Sequence, residues 1–177
     1  MRRLFRASAF CAALLPCLVV AQTTSPAQGA LPIQASVINA CRILSVDGLV
    51  FGVAYNPVSN PVGSSAVHEG QIHLICTAGT TGFIGADSGA HAPSGMSDAC
   101  TSPIRRLMGH GNPLGYTLTF QSGGVDTTWG CDAAHAPGFA AMSVHTPISV
   151  GTKATIPGGQ DVPPGDYADA VMISITF

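Results

Sequence analysis

Within the stretch 165–177, every second residue from Val171 to Phe177 is a large apolar one. This two-residue period predicts a half-buried strand, in which each inward side chain contributes roughly 1.5–3 kcal/mol when it is buried. The alternation continues up to the final residue without a closing strand after it, so we expect the sheet to take a neighbouring strand from elsewhere. The inward residues are Val171, Ile173, Ile175 and Phe177, and the other face carries Ala170, Met172, Ser174 and Thr176.

A second alternating segment lies near the other end of the chain. Its apolar positions are Leu31, Ile33, Ala35 and Val37. The pattern fits either a spare strand that could pair with the terminal one or an ordinary first strand of the domain. Pro32 lies within this segment and removes one backbone donor from any ladder that the segment forms.

The intervening sequence predicts several short strands separated by turns. No segment keeps a 3.6-residue period, and the 21 glycines and 13 prolines interrupt any long helix. We therefore predict one all-β domain, a β-sandwich of about seven strands. The clearest internal strands are residues 42–51, 70–76, 83–85 and 114–120, the last with Leu114, Tyr116, Leu118 and Phe120 on one face.

The first residues have the pattern of an export signal. Arg2, Arg3 and Arg6 precede an apolar run over residues 9–21 that is too short to span a bilayer. We predict a signal peptide over residues 1–21, a flexible extension with the alternating segment over 22–38, and the folded domain over 39–177.

The charge balance argues against a nucleic-acid partner. The chain has 7 basic and 9 acidic residues, and three of the basic ones lie in the predicted signal. The remaining chain is acidic and offers no basic patch for phosphates.

Four cysteines follow the predicted signal, which indicates disulfides in an exported protein. Three pairings are possible. The sequential, non-crossing one joins Cys41 to Cys76 and Cys100 to Cys131, and each bond would contribute on the order of 3–4 kcal/mol. A zinc site is the rival interpretation, but no Cys-x-x-Cys spacing supports it.

No catalytic or metal-binding pattern stands out. Asp166 and Asp169 are expected at a turn and on the solvent face of a strand, and Arg105 with Arg106 is expected to be a structural or solvated pair rather than an anion site. We therefore predict neither enzyme activity nor a cofactor or metal. The six histidines lack ligand spacing: His68, His73, His91, His110, His135 and His145.

The run 156–169 (IPGGQDVPPGDYAD), together with the strand after it, resembles the C-terminal signature of the spore coat protein U-like domain family. That family includes subunits of archaic chaperone–usher pili. Further matching features are Cys41, Phe51-Gly52, Cys76, Arg105-Arg106-Leu107, Leu114-Gly115-Tyr116 and Thr128-Trp129-Gly130.

The resemblance implies an immunoglobulin-like β-sandwich that lacks its last strand and is completed by donor-strand complementation. It implies three kinds of partner: a periplasmic chaperone, an outer-membrane usher and other pilin subunits. The donor strand would be Leu31, Ile33, Ala35 and Val37, and the acceptor and chaperone groove would include Val171, Ile173, Ile175 and Phe177.

The implied function is that of a surface pilus subunit, exported through the periplasm, that supports adhesion and biofilm formation. The alternatives are a secreted carbohydrate- or surface-binding adhesin module and a spore-coat-type structural protein.

Overall fold

A computed structural model describes residues 29–51 and 55–177. The predicted signal peptide lies outside these ranges. The chain divides into two compact units, Met1–Ser36 and Val37–Phe177. In the first unit the described residues 29–36 form no regular secondary structure and are exposed. No helix in the described part of the chain is long and apolar enough to cross a membrane.

The second unit is built from strands. Every element found in the described residues is a β-strand, which confirms the all-β prediction. The nine strands are β1 (Cys41–Val46), β2 (Ser65–Cys76), β3 (Thr81–Ala86), β4 (Arg105–Gly109), β5 (Asn112–Ser122), β6 (Val125–Thr128), β7 (Gly138–Ala140), β8 (Ile148–Pro157) and β9 (Ile173–Thr176).

The strands form two antiparallel sheets. The larger sheet has the order β1-β2-β8-β5-β4, and β6 also pairs with β5. The smaller sheet has the order β7-β3-β9. The strand that the alternation predicted at the end of the chain is therefore present, and it lies at an edge of the smaller sheet.

Two tight hairpins organise the larger sheet around β5. His110 and Gly111 have φ values of 49° and 77° between β4 and β5, and Gly123 and Gly124 have 58° and 82° between β5 and β6. Two consecutive positive φ angles define the type I′ turn, whose twist matches that of paired antiparallel strands. The hairpins bring Leu114, Leu118 and Phe120 of β5 to the core face, where all three are buried.

Trp129 lies at the centre of the core. Its side chain is fully buried, and its indole Nε1 donates a hydrogen bond of 2.7 Å to the carbonyl oxygen of Ile84 in β3. Its ring meets Phe120 edge-on at 5.9 Å between centroids. Because Phe120 belongs to the larger sheet and Ile84 to the smaller one, Trp129 links the two sheets.

Both predicted disulfides are present, Cys41–Cys76 and Cys100–Cys131. The first joins the start of β1 to the end of β2, since Cys41 lies directly opposite Cys76 in the strand register.

The described residues contain no group of three or more His, Cys, Asp or Glu side chains that could hold a metal ion.

Gln160 fixes the corner that precedes the last strand. Its side-chain Oε1 accepts a hydrogen bond of 2.7 Å from Gly115 N, and its Nε2 donates one of 2.9 Å to Gly115 O. The carboxamide thus pairs with β5 as a neighbouring peptide group would. Tyr55 holds the backbone of the same residue, because its hydroxyl accepts from Gln160 N at 2.9 Å.

Candidate functional site

The inner face of the last strand is incompletely covered. Val171, Ile173 and Ile175 are partly buried against the core cluster, as the alternation predicted. Met172 on the opposite face is 70% exposed. Phe177, which the pattern placed on the inner face, is 53% exposed.

Residues 170–176, which include β9, are paired along only one edge. In the register of β3 and β9, Gly85 lies opposite Ser174. Before β9, the carbonyl oxygens of Ala170 and Met172 accept hydrogen bonds of 2.9 and 3.1 Å from residues 90 and 87. The even-numbered residues therefore direct their backbone groups toward β3.

The odd-numbered residues Val171, Ile173 and Ile175 direct their N–H and C=O groups to the other edge, which we call the open edge. None of the described strands pairs there. The residues with unpaired backbone groups are thus the same ones whose side chains face the core, which is the arrangement that an added strand requires.

A cavity of about 250 Å³ lies beside the open edge. Residues 46–49, at and just after the end of β1, and Phe51 line it together with Val171 and Ile173. Trp129 and Leu118 also line it, although both belong to the buried core. The cavity, which we call the core cavity, therefore reaches the interior of the sandwich.

Apolar side chains of strand β1 are also incompletely covered. Ile43, Leu44 and Val46 are 37%, 44% and 52% exposed, although the strand pairs with β2 apart from one irregularity between Ile43 and Ser45. Apolar residues of a sandwich strand are normally covered by the facing sheet. The smaller sheet has three strands and ends at β9.

One part of the core cavity is polar. The Tyr116 hydroxyl donates a hydrogen bond of 2.7 Å to Asp169 Oδ2, and both residues line the cavity. Burial, with a further contribution from Asp169, raises the pKa of Tyr116 above its ordinary value of 10.0. The Asp169 carboxylate also accepts from His91 N at 3.2 Å. The expectation that Asp169 faces solvent was therefore wrong, because its side chain turns toward Tyr116.

Arg105 is a structural residue. Only 2% of it is exposed, and its guanidinium donates to the carbonyl oxygens of Ala86, Asp87 and Trp129 at 2.6 to 3.1 Å. Burial lowers the pKa of this guanidinium. Arg105 lies in β4, whereas Ala86 is the last residue of β3 and Asp87 follows it, so the side chain ties the two sheets together. The structural interpretation of this arginine is confirmed.

The predicted donor residues lie in a segment without secondary structure. Leu31 and Ile33 are 82% and 87% exposed, and Val37 is 84% exposed. Residues 29–40 form no strand in the single chain. Their pairing with another copy stays a prediction.

Sequence reasoning missed two parts of this site. The Tyr116–Asp169 hydrogen bond joins residues 53 positions apart, and no local sequence pattern predicts it. The contribution of residues 46–49 and Phe51 to the core cavity was also not expected, because they were assigned to a continuous strand. The structure instead ends β1 at Val46.

In the described residues, the fold and site define a two-sheet β-sandwich in which the unpaired edge of β9 lies beside a cavity that reaches the core. The family model of the Spore Coat Protein U domain matches residues 27–174. The chain belongs to the spore coat protein U domain family, as the resemblance in its C-terminal signature indicated.

Known proteins that are similar to this chain include the following two. Protein U of Myxococcus xanthus is 31% identical over 169 residues, which cover 86% of this chain and 89% of that protein. The other is a chain in the crystal structure of the CsuC–CsuE chaperone–tip adhesion subunit pre-assembly complex, from archaic chaperone–usher Csu pili of Acinetobacter baumannii. The match has a TM-score of 0.53 at 19% identity and covers 80% of this chain and 40% of that one. This likeness confirms the predicted immunoglobulin-like fold.

Proposed function

We propose that this chain is a structural subunit of a surface pilus that a periplasmic chaperone and an outer-membrane usher assemble by donor-strand exchange. One observation carries the proposal. The open edge of β9 presents unpaired backbone groups and inward apolar side chains from the same residues, beside a cavity that reaches Trp129 in the core. An added strand would satisfy the backbone groups and cover the core at once.

Residues 31–37 of a second copy have the chemistry to fill this position. Their apolar side chains, Leu31, Ile33, Ala35 and Val37, alternate with the period that a strand requires, and all four are exposed in the single chain. Before assembly, a strand of the chaperone would occupy the same edge. The structural neighbour, a chaperone–subunit complex, supports this order of events.

The proposed assembly also implies where the protein acts and what the fibre does. A subunit assembled in this way passes through the periplasm, and its polymer extends from the cell surface. We infer that the fibre supports adhesion and biofilm formation. The likeness to a complex that contains a tip adhesion subunit favours this role.

A second candidate is a spore-coat-type structural protein. The similarity to Protein U over 89% of that protein's length favours it. The two candidates differ in the assembly that they require. A linear fibre requires head-to-tail insertion of one segment into the next subunit, whereas a coat layer can form through any surface contact.

Donor-strand exchange is tested by placing a charged side chain on the inward face of the predicted donor strand. We expect Ile33→Asp to abolish polymer, because the carboxylate would be buried without a partner in the next subunit at a cost of several kcal/mol. The subunit itself should still fold and be recovered with its chaperone. Polymer is measured by gel electrophoresis without heating, and the folded subunit by chaperone pull-down.

The matched control is Gln34→Asp, one position along, where the side chain would face outward. This variant should still polymerise. Loss of both polymer and chaperone complex in Ile33→Asp would mean that the segment belongs to its own domain. Persistence of both would reject insertion of this segment.

A further inference from the structure

The backbone direction of β9 limits how residues 31–39 of a second copy can pair with it. The groups at the open edge belong to the odd-numbered residues, which also point their side chains inward. In an antiparallel pair, the residues that exchange hydrogen bonds lie directly opposite each other, and their side chains share a face. In a parallel pair, the bonded residues of the incoming strand are those that flank the opposite one, and they point outward.

Pro32 selects between the two directions. If Leu31, Ile33 and their alternating partners point inward, Pro32 points outward. A parallel arrangement would then need the missing N–H of Pro32 in the ladder with β9. In the antiparallel arrangement the N–H positions of the outward residues face away from β9. Pro32 therefore removes no hydrogen bond to the open edge.

Side-chain polarity then selects the register. On the acceptor, the inward positions running back from Phe177 end with Val171 and then Asp169. On the donor, the inward positions running forward from Leu31 end with Val37 and then Asn39. In each strand the inward positions are apolar until this one polar residue. One antiparallel register places the two polar residues, Asp169 and Asn39, directly opposite each other.

We propose that Asn39 of one subunit donates a hydrogen bond to Asp169 of the next and thereby sets the register of donor-strand exchange. This inference rests on the proposed function. In this register Val37 faces Val171 and Ile33 faces Ile175. The Asp169 carboxylate, which already accepts from Tyr116 and His91, has further lone pairs for the carboxamide.

The neighbouring registers are worse on chemical grounds. If the incoming strand shifts by two residues in one direction, Val37 lies opposite Asp169, and the carboxylate gains no hydrogen-bond donor. The opposite shift places Asn39 against Val171 and would require Cys41 to enter the foreign groove. Cys41 is held in its own sheet by its bond to Cys76. A single buried polar residue sets the register of coiled coils by the same principle.

The contacts of Ile38 agree with this geometry. Its carbonyl oxygen accepts a hydrogen bond of 3.2 Å from Thr77 Oγ1 of the same chain. In the proposed register the backbone groups of Ile38 face away from the acceptor's β9. Asn39 can therefore reach the next subunit while Ile38 keeps its contact with its own domain.

The register is tested by disulfide trapping between full-length chains. One chain carries Gln34→Cys and a second, distinguished by an affinity tag, carries Ser174→Cys. Ser174 is exposed, and the proposed register places it directly opposite Gln34 as a non-hydrogen-bonded pair, about 4.5 Å apart between Cα atoms, which a disulfide can span. The native cysteines are already paired.

Two further acceptors report the shifted registers, Met172→Cys and Thr176→Cys, both at exposed positions. We expect the Ser174→Cys chain to yield about tenfold more cross-linked dimer than either, the ratio set by about 1.4 kcal/mol. A dominant product with Met172→Cys or Thr176→Cys, or equal yields, would overturn the register while retaining donor-strand exchange. Failure of all three would overturn both.

The role of the polar pair is tested in the same assay. Asn39→Asp sets two carboxylates against each other, so the Gln34–Ser174 product should fall about tenfold and should recover when the acceptor carries Asp169→Asn. Ser36→Asp adds the same charge on the outward face and should leave the yield unchanged. An unchanged yield with Asn39→Asp, or no recovery with Asp169→Asn, would overturn the pairing.

Discussion

At the scale of single residues, the hydrogen bonds of Arg105 stand out. Arginine is seldom fully buried without an acidic partner at contact distance. Here the guanidinium instead donates to three backbone carbonyl oxygens, two at the end of β3 and one at Trp129, which follows β6. These carbonyls would otherwise lie inside the protein without donors.

Replacing this side chain should be costly. We expect Arg105→Met to lower the free energy of unfolding by about 3 kcal/mol or more, because several hydrogen bonds to a charged donor are lost and the carbonyls remain buried. Denaturant unfolding followed by the fluorescence of the single tryptophan measures the change. The matched control, Arg106→Met in the next position, should change stability by less than about 1 kcal/mol. Equal effects would contradict the assigned role.

At the scale of elements, the sequence was most informative where a period was long enough to read. The alternation in residues 114–120 and 171–177 predicted β5, β9 and most of their inward faces, but Phe177 is 53% exposed and β9 itself spans only Ile173–Thr176. The three-residue β7 (Gly138–Ala140) was missed, because so short a strand leaves no period. The end of β1 was misplaced. The apolar residues Leu49 and Phe51 suggested that the strand continues, whereas the chain leaves the sheet after Asp47, whose N–H still donates to Gln71 O at 2.9 Å.

The β4–β5 hairpin provides a test at this scale. Gly111 has a φ of 77°, which is strained for a branched side chain, so Gly111→Val should lower the free energy of unfolding by about 1–2 kcal/mol. His110→Asn should preserve or raise stability, since asparagine favours the first central position of a type I′ turn. Thermal unfolding of both variants checks the pair. A tolerated valine would contradict the turn assignment.

At the scale of the whole molecule, the tertiary contacts of the site could not be predicted from sequence. Three distant parts of the chain line the core cavity: residues 46–49 with Phe51, Tyr116, and Asp169. Polarity patterns locate faces, whereas long-range side-chain bonds such as Tyr116–Asp169 depend on how the sheets pack. The family signature supplied the missing topology, because it marks the whole domain rather than one strand.

The buried tyrosine makes stability depend on pH. The pKa of Tyr116 is raised in the folded protein, so its contribution is present below the unfolded value of 10.0 and is lost as pH rises above it. We expect the free energy of unfolding to fall above about pH 10 by up to about 1.4 kcal/mol per pH unit from this group. Tyr116→Phe should lose this component, and Tyr167→Phe should keep it. Urea unfolding at several alkaline pH values measures the slopes. Identical slopes in all three proteins would contradict the assignment.

The Cys41–Cys76 bond has a mechanical consequence for a fibre joined as proposed. Pulling force would enter each subunit through the segment that ends at Ala40, immediately before this bond. The covalent link passes that load directly to the end of β2, a strand paired on both sides within the larger sheet. Strand β1 then cannot be peeled away from its first residue under tension. The weakest link along the fibre would be the inserted segment itself, and its register would set how far the fibre stretches before two subunits part.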